Sequence, residues 1–419
     1  MILDENRVRR RAERLAGALF ARGLRPGDRV AAALGNTDEH VALREAAAAL
    51  ELTFVPLNPK LTAREADDLV ARAGALRVEP AELDGPPQPL REGAIGATIL
   101  FTSGTTGWPK ACVRPEACER ARAAELIATY GLDRKDVHLV ACPLAHSAPG
   151  IFLRAARSVG ARTALLPRFD AAAFLDAAGA VGATFAFLVP TQLGRLLALG
   201  RPAPAPLRAL IVAGAPFPPA VKLRALEWLG PHRLWEFYGS TETGTIAVAP
   251  PSTQPGPPGW VGKPPPGVDV ALEADGGVKV RSAACMQGYL GEPEVPPGGF
   301  VAVGDIARRA GDGLVLIDRK SDVVISGGVN VYPAEVERAI AEHPGVRGAV
   351  VCGRPHPDWG EEVCALVVGD LSEAELRTFL RERLAAYKIP KQIRLIAEAE
   401  LPVGATGKPL RRVARERWR

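Results

Sequence analysis

The spacing of hydrophobic positions changes repeatedly along the chain. Between residues 7 and 24, Val8, Leu15 and Leu19 recur at helical spacing, and Gly23 marks an end. Residues 28–34 (DRVAAAL) read as a buried strand, residues 37–50 return to helix, and Thr53–Leu57 reads as a strand again. A loop follows at 84–89 (DGPPQP), and strand-like runs recur at Thr98–Phe101, His138–Cys142, Thr184–Val189 and Leu210–Ala213. Short strands alternating with helices predict an α/β fold, its mostly parallel sheet covered by helices on both faces. Past Pro250 the texture changes. Prolines, glycines and alternating runs such as VDVALEADGGVKVRS predict an antiparallel β-rich subdomain over about 250–317. From Pro333 a compact α+β pattern appears, with a helix over 333–342, strands over 348–352 and 363–368, and a helix over 372–386. The chain thus divides into a large N-terminal domain, residues 1–319, and a small α+β C-terminal domain, residues 320–419.

At 419 residues and 47% hydrophobic content, the chain can bury more than one core. Its formal charge of +5 suits anionic ligands without demanding nucleic acid, because the basic residues are scattered apart from short runs at 7–14 and 411–419. The six cysteines show no CxxC spacing and no zinc-like Cys/His cluster, so they read as free thiols in a reducing compartment. The N-terminus is charged and lacks a signal-peptide core. The uncharged run 177–194 is broken by glycines and Pro190, which fits buried core rather than a membrane span. A cytoplasmic location is expected, with no integral membrane segment. The preference for Arg over Lys fits a GC-rich genome or a hot habitat equally well.

Six segments carry candidate chemistry. In Thr102–Lys110 (TSGTTGWPK), glycines and hydroxyls follow the apolar strand ATILF and precede a lysine. Glycines let backbone N–H groups approach an anion, hydroxyls add donors, and Lys110 adds charge for phosphates. The segment is not the common P-loop, since Trp108-Pro109 intervenes and no Ser or Thr follows the lysine. Tyr238–Glu242 (YGSTE) sets an aromatic ring, two hydroxyls and a carboxylate close together. Gly214-Ala215-Pro216 turns after the apolar run LIVA, and Gly304-Asp305 precedes Arg319, the aspartate being able to accept both hydroxyls of a ribose. Residues 326–337 (SGGVNVYPAEVE) join two glycines to a helix start at Pro333. Residues 401–412 (LPVGATGKPLRR) set Lys408 in a glycine-rich, apolar loop.

TSGTTGWPK closely resembles the phosphate-binding signature of the adenylate-forming superfamily of acyl-CoA synthetases, peptide-synthetase adenylation domains and luciferases. The remaining motifs follow in that family's order over nearly the whole chain. The resemblance implies that Thr102, Ser103, Gly104, Thr105, Thr106, Gly107 and Lys110 bind the phosphates of ATP. It implies that Tyr238, with Gly239 beside it, stacks on adenine against Gly214, Ala215 and Pro216. Thr241 contacts the α-phosphate, Glu242 holds Mg²⁺, and Asp305 and Arg319 serve the ribose side. Lys408 matches the catalytic lysine, and Gly327 and Gly328 border the pantetheine tunnel. The C-terminal domain is then a mobile lid turning about Ser321, two residues after Arg319. Pro143–His146 (PLAH) resembles the segment lining the acyl pocket, to which His146, Pro190, Val212, Phe237 and Gly244 are assigned. KVRSAACMQGYLGEP at 279–293 resembles the segment before the GD element. Three positions depart from the family pattern: Val303 replaces a hydroxyl, Asp318 a glycine and Ala145 an aromatic ring.

The function so implied is that of an acid–thiol ligase. ATP activates a carboxylic acid as acyl-AMP with release of pyrophosphate, and the acyl group passes to CoA. ATP, Mg²⁺ and CoA are the expected cofactors and co-substrates. The stretch PLAHSAPG lacks the aspartate that peptide-synthetase domains use for an amino group, and the pocket wall is apolar, so a fatty or aryl acid is favoured. A ligase loading a carrier protein and a non-catalytic nucleotide-binding relative are the alternatives. The presence of Lys110, Glu242, Asp305, Arg319 and Lys408 argues against the latter. A homodimer is left open.

Overall fold

The computed structural model describes residues 2–102, 109–251, 256–326, 329–404 and 409–418. Ser103–Trp108, Gly327–Gly328 and Ala405–Lys408, which include six of the candidate site residues above and both tunnel glycines, lie outside the described residues.

Among the described residues four sheets organise the chain. In the first, Arg29–Ala33, Thr53–Leu57 and Ala97–Thr102 run parallel, and Lys110–Arg114 then returns antiparallel. The two-residue strand Gly288–Tyr289 closes that edge. The second sheet orders Gly244–Ala249, Leu234–Ser240, Ala209–Val212, Phe185–Leu188, Val137–Val140 and Arg162–Leu165. It is parallel except for the Leu234–Ala249 hairpin. Residues on its strands alternate between two apolar layers. Leu210 and Val212 enter one core with helices Ala171–Val181, Pro190–Ala198 and Pro219–Leu229. Ala209, Ile211, Phe185 and Phe187 enter another with helices Glu116–Tyr130 and Ser147–Ser158. Helix Glu5–Ala21 packs on helix Asp38–Ala49 in a further core beside the first sheet. Each of these two helices begins on a side-chain cap, Asp4 and Thr37.

The third sheet is the antiparallel one expected past Pro250: Asp269–Leu272, Gly277–Arg281, Val301–Ala310 and Gly313–Arg319. The fourth joins the long pair Val346–His356 and Gly360–Gly369, the antiparallel strands Val324–Ser326 and Val329–Val331, and the parallel strand Gln392–Leu395. Helices Pro333–Ala341 and Glu373–Arg381 cover it. The second helix starts with the capping box Ser372–Glu375 but stops short of the expected residue 386. The Leu380 carbonyl accepts from both Arg383 and Leu384, which closes the last turn, and the chain swings back so that Lys391 can donate to Val363. Among the described residues no helix is long and apolar enough to cross a membrane.

Candidate active site

The hairpin Leu234–Ala249 is the hub. Gly239 and Thr245 face each other, and a Cβ on Gly239 would stand 2.3 Å from the Gly244 carbonyl oxygen. Only glycine fits there, and Gly244 takes φ 74° to close the turn. Thr241 and Glu242 sit at the tip. Arg122 donates from Nη2 to the Thr241 carbonyl (2.9 Å) and from Nε to the Ala284 carbonyl (2.7 Å). The Met286 N–H donates to the Glu242 carbonyl at 2.6 Å. The tip is thereby fixed from two sides. The Glu242 carboxylate accepts from the Tyr289 hydroxyl at 2.9 Å. Lys110 Nζ lies 4.6 Å from the Tyr289 ring centroid and pairs with Glu292 at 2.9 Å. Lys110, Tyr289 and Glu242 therefore form one line, joining the ends of the first and second motifs. Thr102 faces Lys110 across its strand pair, at the base of the glycine-rich segment.

Tyr238 points the other way. It is buried, and its hydroxyl donates to Asp305 Oδ2 at 2.6 Å. Burial and the neighbouring Asp305 push the phenol well above its ordinary range, so it stays a neutral donor. Arg319 Nε lies 3.2 Å from the other oxygen, Oδ1, and the two residues face each other in the antiparallel ladder. Gly304 takes φ 75°, and its carbonyl accepts from the Lys320 N–H at 2.8 Å. Gly214, at φ 87°, ends the run from strand Ala209–Val212 and leads into Ala215-Pro216.

Phe237 lies on the opposite face of its strand from Tyr238. Its ring centroid is 6.1 Å from Phe152 and 6.0 Å from Phe187, which are themselves 5.5 Å apart. Tyr130 touches Phe152 and Trp235 behind them. His146 precedes helix Ser147–Ser158, and burial lowers its pKa, leaving a neutral imidazole. Pro190 opens helix Pro190–Ala198 and is buried. Val212 does not join this group. Its side chain enters the core on the far face of the sheet, because strand alternation sends Ile211 and Val212 to opposite sides.

Beneath the hairpin lies a buried ionic cluster. Arg114 donates from Nε (2.8 Å) to Glu119, Arg154 Nη2 reaches the same carboxylate at 2.5 Å, and Thr98 adds its hydroxyl. Arg114 also reaches the Ser147 hydroxyl, next to His146. Arg44 and Arg122 are buried nearby and act on Glu119 through their charge. Against the opposing effect of burial, these arginines hold the Glu119 carboxyl down at about 2.

Tyr289, Arg122 and Phe152 are not singled out by the sequence. The segment carrying Tyr289 was noticed, but nothing in it announces a hydroxyl aimed at Glu242. Ser321 is exposed, its hydroxyl 3.3 Å from Asp322 Oδ1. Around Lys408, the described flanks meet in an isolated bridge, Val403 to Pro409.

The AMP-binding enzyme family model matches residues 6–79 and 77–290, and the model for the AMP-binding enzyme C-terminal domain matches 335–408. A feruloyl-CoA synthase from an Amycolatopsis species is 32% identical, over 98% of this chain and 92% of its own. A 2-succinylbenzoate–CoA ligase from Bacillus licheniformis is also 32% identical, over 96% and 92%. Among solved structures, the Bacillus subtilis O-succinylbenzoate coenzyme A synthetase in complex with ATP and magnesium superposes with a TM-score of 0.87 at 27% identity, covering 97% of this chain and 93% of that one. On this evidence from sequence, fold and site, the chain belongs to the AMP-binding enzyme family and is an ATP-dependent, adenylate-forming ligase of the acyl-CoA synthetase type.

Proposed function

We propose that this enzyme activates a compact aryl or other short apolar carboxylic acid as acyl-AMP and transfers it to CoA in the cytoplasm. The observation that carries the reading is the hairpin Leu234–Ala249, which presents Glu242 at its tip, Tyr238 with Asp305 on one face and Phe237 on the other. Asp305 keeps acceptor capacity for ribose hydroxyls beyond its bonds to Tyr238 and Arg319. The rings of Phe237, Phe152 and Phe187 pack together on the face of the hairpin opposite Tyr238, and an acid bound against that face would meet them, which favours a short acid over a long chain.

Among the described residues no cluster of three His, Cys, Asp or Glu could hold a metal by itself. A lone carboxylate suits Mg²⁺, which takes most of its ligands from phosphates and water. Glu242 would hold it, and its charge would offset negative charge developing on the phosphoryl oxygens. Lys110 and Lys408 add positive potential at the phosphates, and fixing the acid's carboxylate beside the α-phosphorus supplies much of the remaining acceleration. The acid's oxygen attacks that phosphorus and pyrophosphate leaves. A thiol then attacks the acyl carbon, and AMP departs. Residues 1–319 and 320–419 serve as body and lid, with Ser321 as the pivot.

The test is pyrophosphate release from a panel of acids, with and without CoA. Benzoate- or cinnamate-like acids should outpace palmitate, and CoA should be consumed stoichiometrically. Preference for palmitate would overturn the compact-acid reading. Acyl transfer to a carrier protein with none to CoA would overturn the acceptor.

A further inference from the structure

Arg411 has no role in the site described above, yet its side chain is buried and every guanidinium nitrogen is engaged. Nε donates to the Val351 carbonyl at 3.1 Å, Nη1 to Asp322 Oδ2 at 2.9 Å and Nη2 to Glu337 Oε2 at 2.7 Å. Glu337 Oε1 accepts from the Val351 N–H at 2.8 Å, so the ring of contacts is closed. Three separate elements meet on one planar fork: strand Val346–His356, helix Pro333–Ala341 and the turn after Arg319. A lysine has one nitrogen and cannot reproduce this.

The positions of the two ends matter. Asp322 is the residue after Ser321, the proposed pivot. Arg411 opens helix Arg411–Glu416, three residues after Lys408. The flanks of the lysine segment are tied together just before that helix. Val403 and Pro409 form a bridge, and the Leu410 N–H donates to the Pro402 carbonyl at 2.8 Å. On the other side of the pivot, Asp318 accepts from the Ala334 N–H at 2.6 Å, one turn before Glu337. A continuous set of bonds therefore runs from the last strand of the large domain, past the pivot, to the base of the lysine segment.

We propose that Arg411 is a positioning residue for adenylation, coupling the 320–322 turn to the base of the Lys408 segment so that the turn's conformation sets where the lysine stands. The inference rests on the proposed function, in which Lys408 serves acyl-AMP formation and Ser321 is the pivot. Its content is new to that reading: Arg411 transmits the pivot's state without touching substrate. A purely structural arginine would hold the small domain together and serve both half-reactions alike. A positioning arginine serves only the one that uses the lysine.

The experiment uses the full chain and four variants: Arg411→Lys, Asp322→Asn, Lys408→Ala and the double variant Arg411→Lys/Lys408→Ala. Each is checked for folding by thermal unfolding. Each is then assayed for single-turnover pyrophosphate release and, separately, for CoA attack on supplied acyl-AMP. Displacing a group by about 1 Å costs on the order of 10²-fold. Arg411→Lys should slow adenylation by about that factor and leave thiol attack within about threefold. Asp322→Asn, which removes one arm only, should show the same split more weakly. The double variant should adenylate no more slowly than Lys408→Ala, since the arginine acts through the lysine. An equal loss in both half-reactions, or losses in the double variant that multiply, would overturn the proposal. Parent-rate adenylation by Lys408→Ala would instead remove the lysine reading, independently of how the Arg411 variants behave.

Discussion

Glu119 and Arg411 each stand among charges of the opposite sign, in the large and small domains respectively. Glu119 is a single buried carboxylate beside Arg114 and Arg154, with Arg122 and Arg44 close by. Arg411 is a single buried cation facing Glu337, Asp322 and Asp318. The consequences differ. Arginine cannot give up its charge in practice, so the first cluster has only one group able to respond, and its carboxyl is held down at about 2. The second cluster is made of groups that can respond. Burial pushes Glu337 up to about 7, despite Arg411, and raises Asp318 as well. The first is a framework of permanent charge under the hairpin Leu234–Ala249. The second is adjustable and lies beside the proposed pivot.

The largest expected effect comes from Glu119→Gln, which leaves buried arginines without their anion. Removing one partner of such a pair costs about 3–5 kcal/mol. Urea denaturation should show a loss of that size, and a loss below about 1 kcal/mol would mean that the arginines do not depend on Glu119.

The pH response separates the clusters next. Glu119 has a depressed folded-state pKa, so its contribution is present above about 4.5 and is lost as pH falls through 2. Glu337 has the opposite sign. Its raised pKa gives a contribution present below about 4.5 and lost as pH rises through 7. The stability of Glu337→Gln relative to the parent should therefore rise between pH 5 and pH 8, by about 1–3 kcal/mol. Thermal unfolding of both proteins between those pH values measures this. Parallel curves would show that Glu337 is not the group that responds.

A smaller effect is expected at Arg44. Its Nε has no hydrogen-bond partner among the described residues, and its guanidinium carbon stands 5.3 Å from the Phe54 ring centroid. Arg44→Met removes a surplus buried cation and should be neutral or gain about 1 kcal/mol. A clear loss of stability would show that the cluster needs all four arginines. The smallest effect is expected at Arg347, whose pair with Asp370 is open to solvent. Arg347→Ala should leave the unfolding midpoint unchanged, and a shift comparable to that of Glu119→Gln would break the distinction between buried and exposed pairs.

Neither cluster was legible in the sequence. In EACERARAAELIATY, charges three residues apart read as a solvated helix face, yet Glu119 and Arg122 are buried. Their surroundings come from Thr98 and Arg154, far away in sequence. The strands were legible because apolar runs bounded by glycine and proline leave few alternatives. The hairpin motif was legible because its glycines answer to backbone geometry, as Gly239 shows. Val212 is assigned to the acyl pocket with the apolar run LIVA, and strand alternation places it in the core on the face opposite Ile211. Tyr289 was missed for a similar reason. A hydroxyl gains its role from the group it meets, and here that group belongs to a different sheet.

The short strand Gly288–Tyr289 also bears on the order in which the molecule assembles. It docks on Cys112 and Val113 and brings Glu292 to Lys110 across 182 residues of chain. Closing so large a loop is entropically costly and is repaid only when the contacts on both sides already exist. The hairpin Leu234–Ala249 and the first sheet should therefore form as separate units, and the line from Lys110 through Tyr289 to Glu242 should be completed late. During synthesis, a ribosome-bound chain ending before residue 288 would have the strands of the second sheet and those of the first bar its edge strand, but not the finished line from Lys110 to Glu242. Pulse-labelled hydrogen exchange during refolding should find the Leu290 amide, which donates to the Ala111 carbonyl, protected after the amides of strand Phe185–Leu188. Binding competence would then be the last property the large domain acquires.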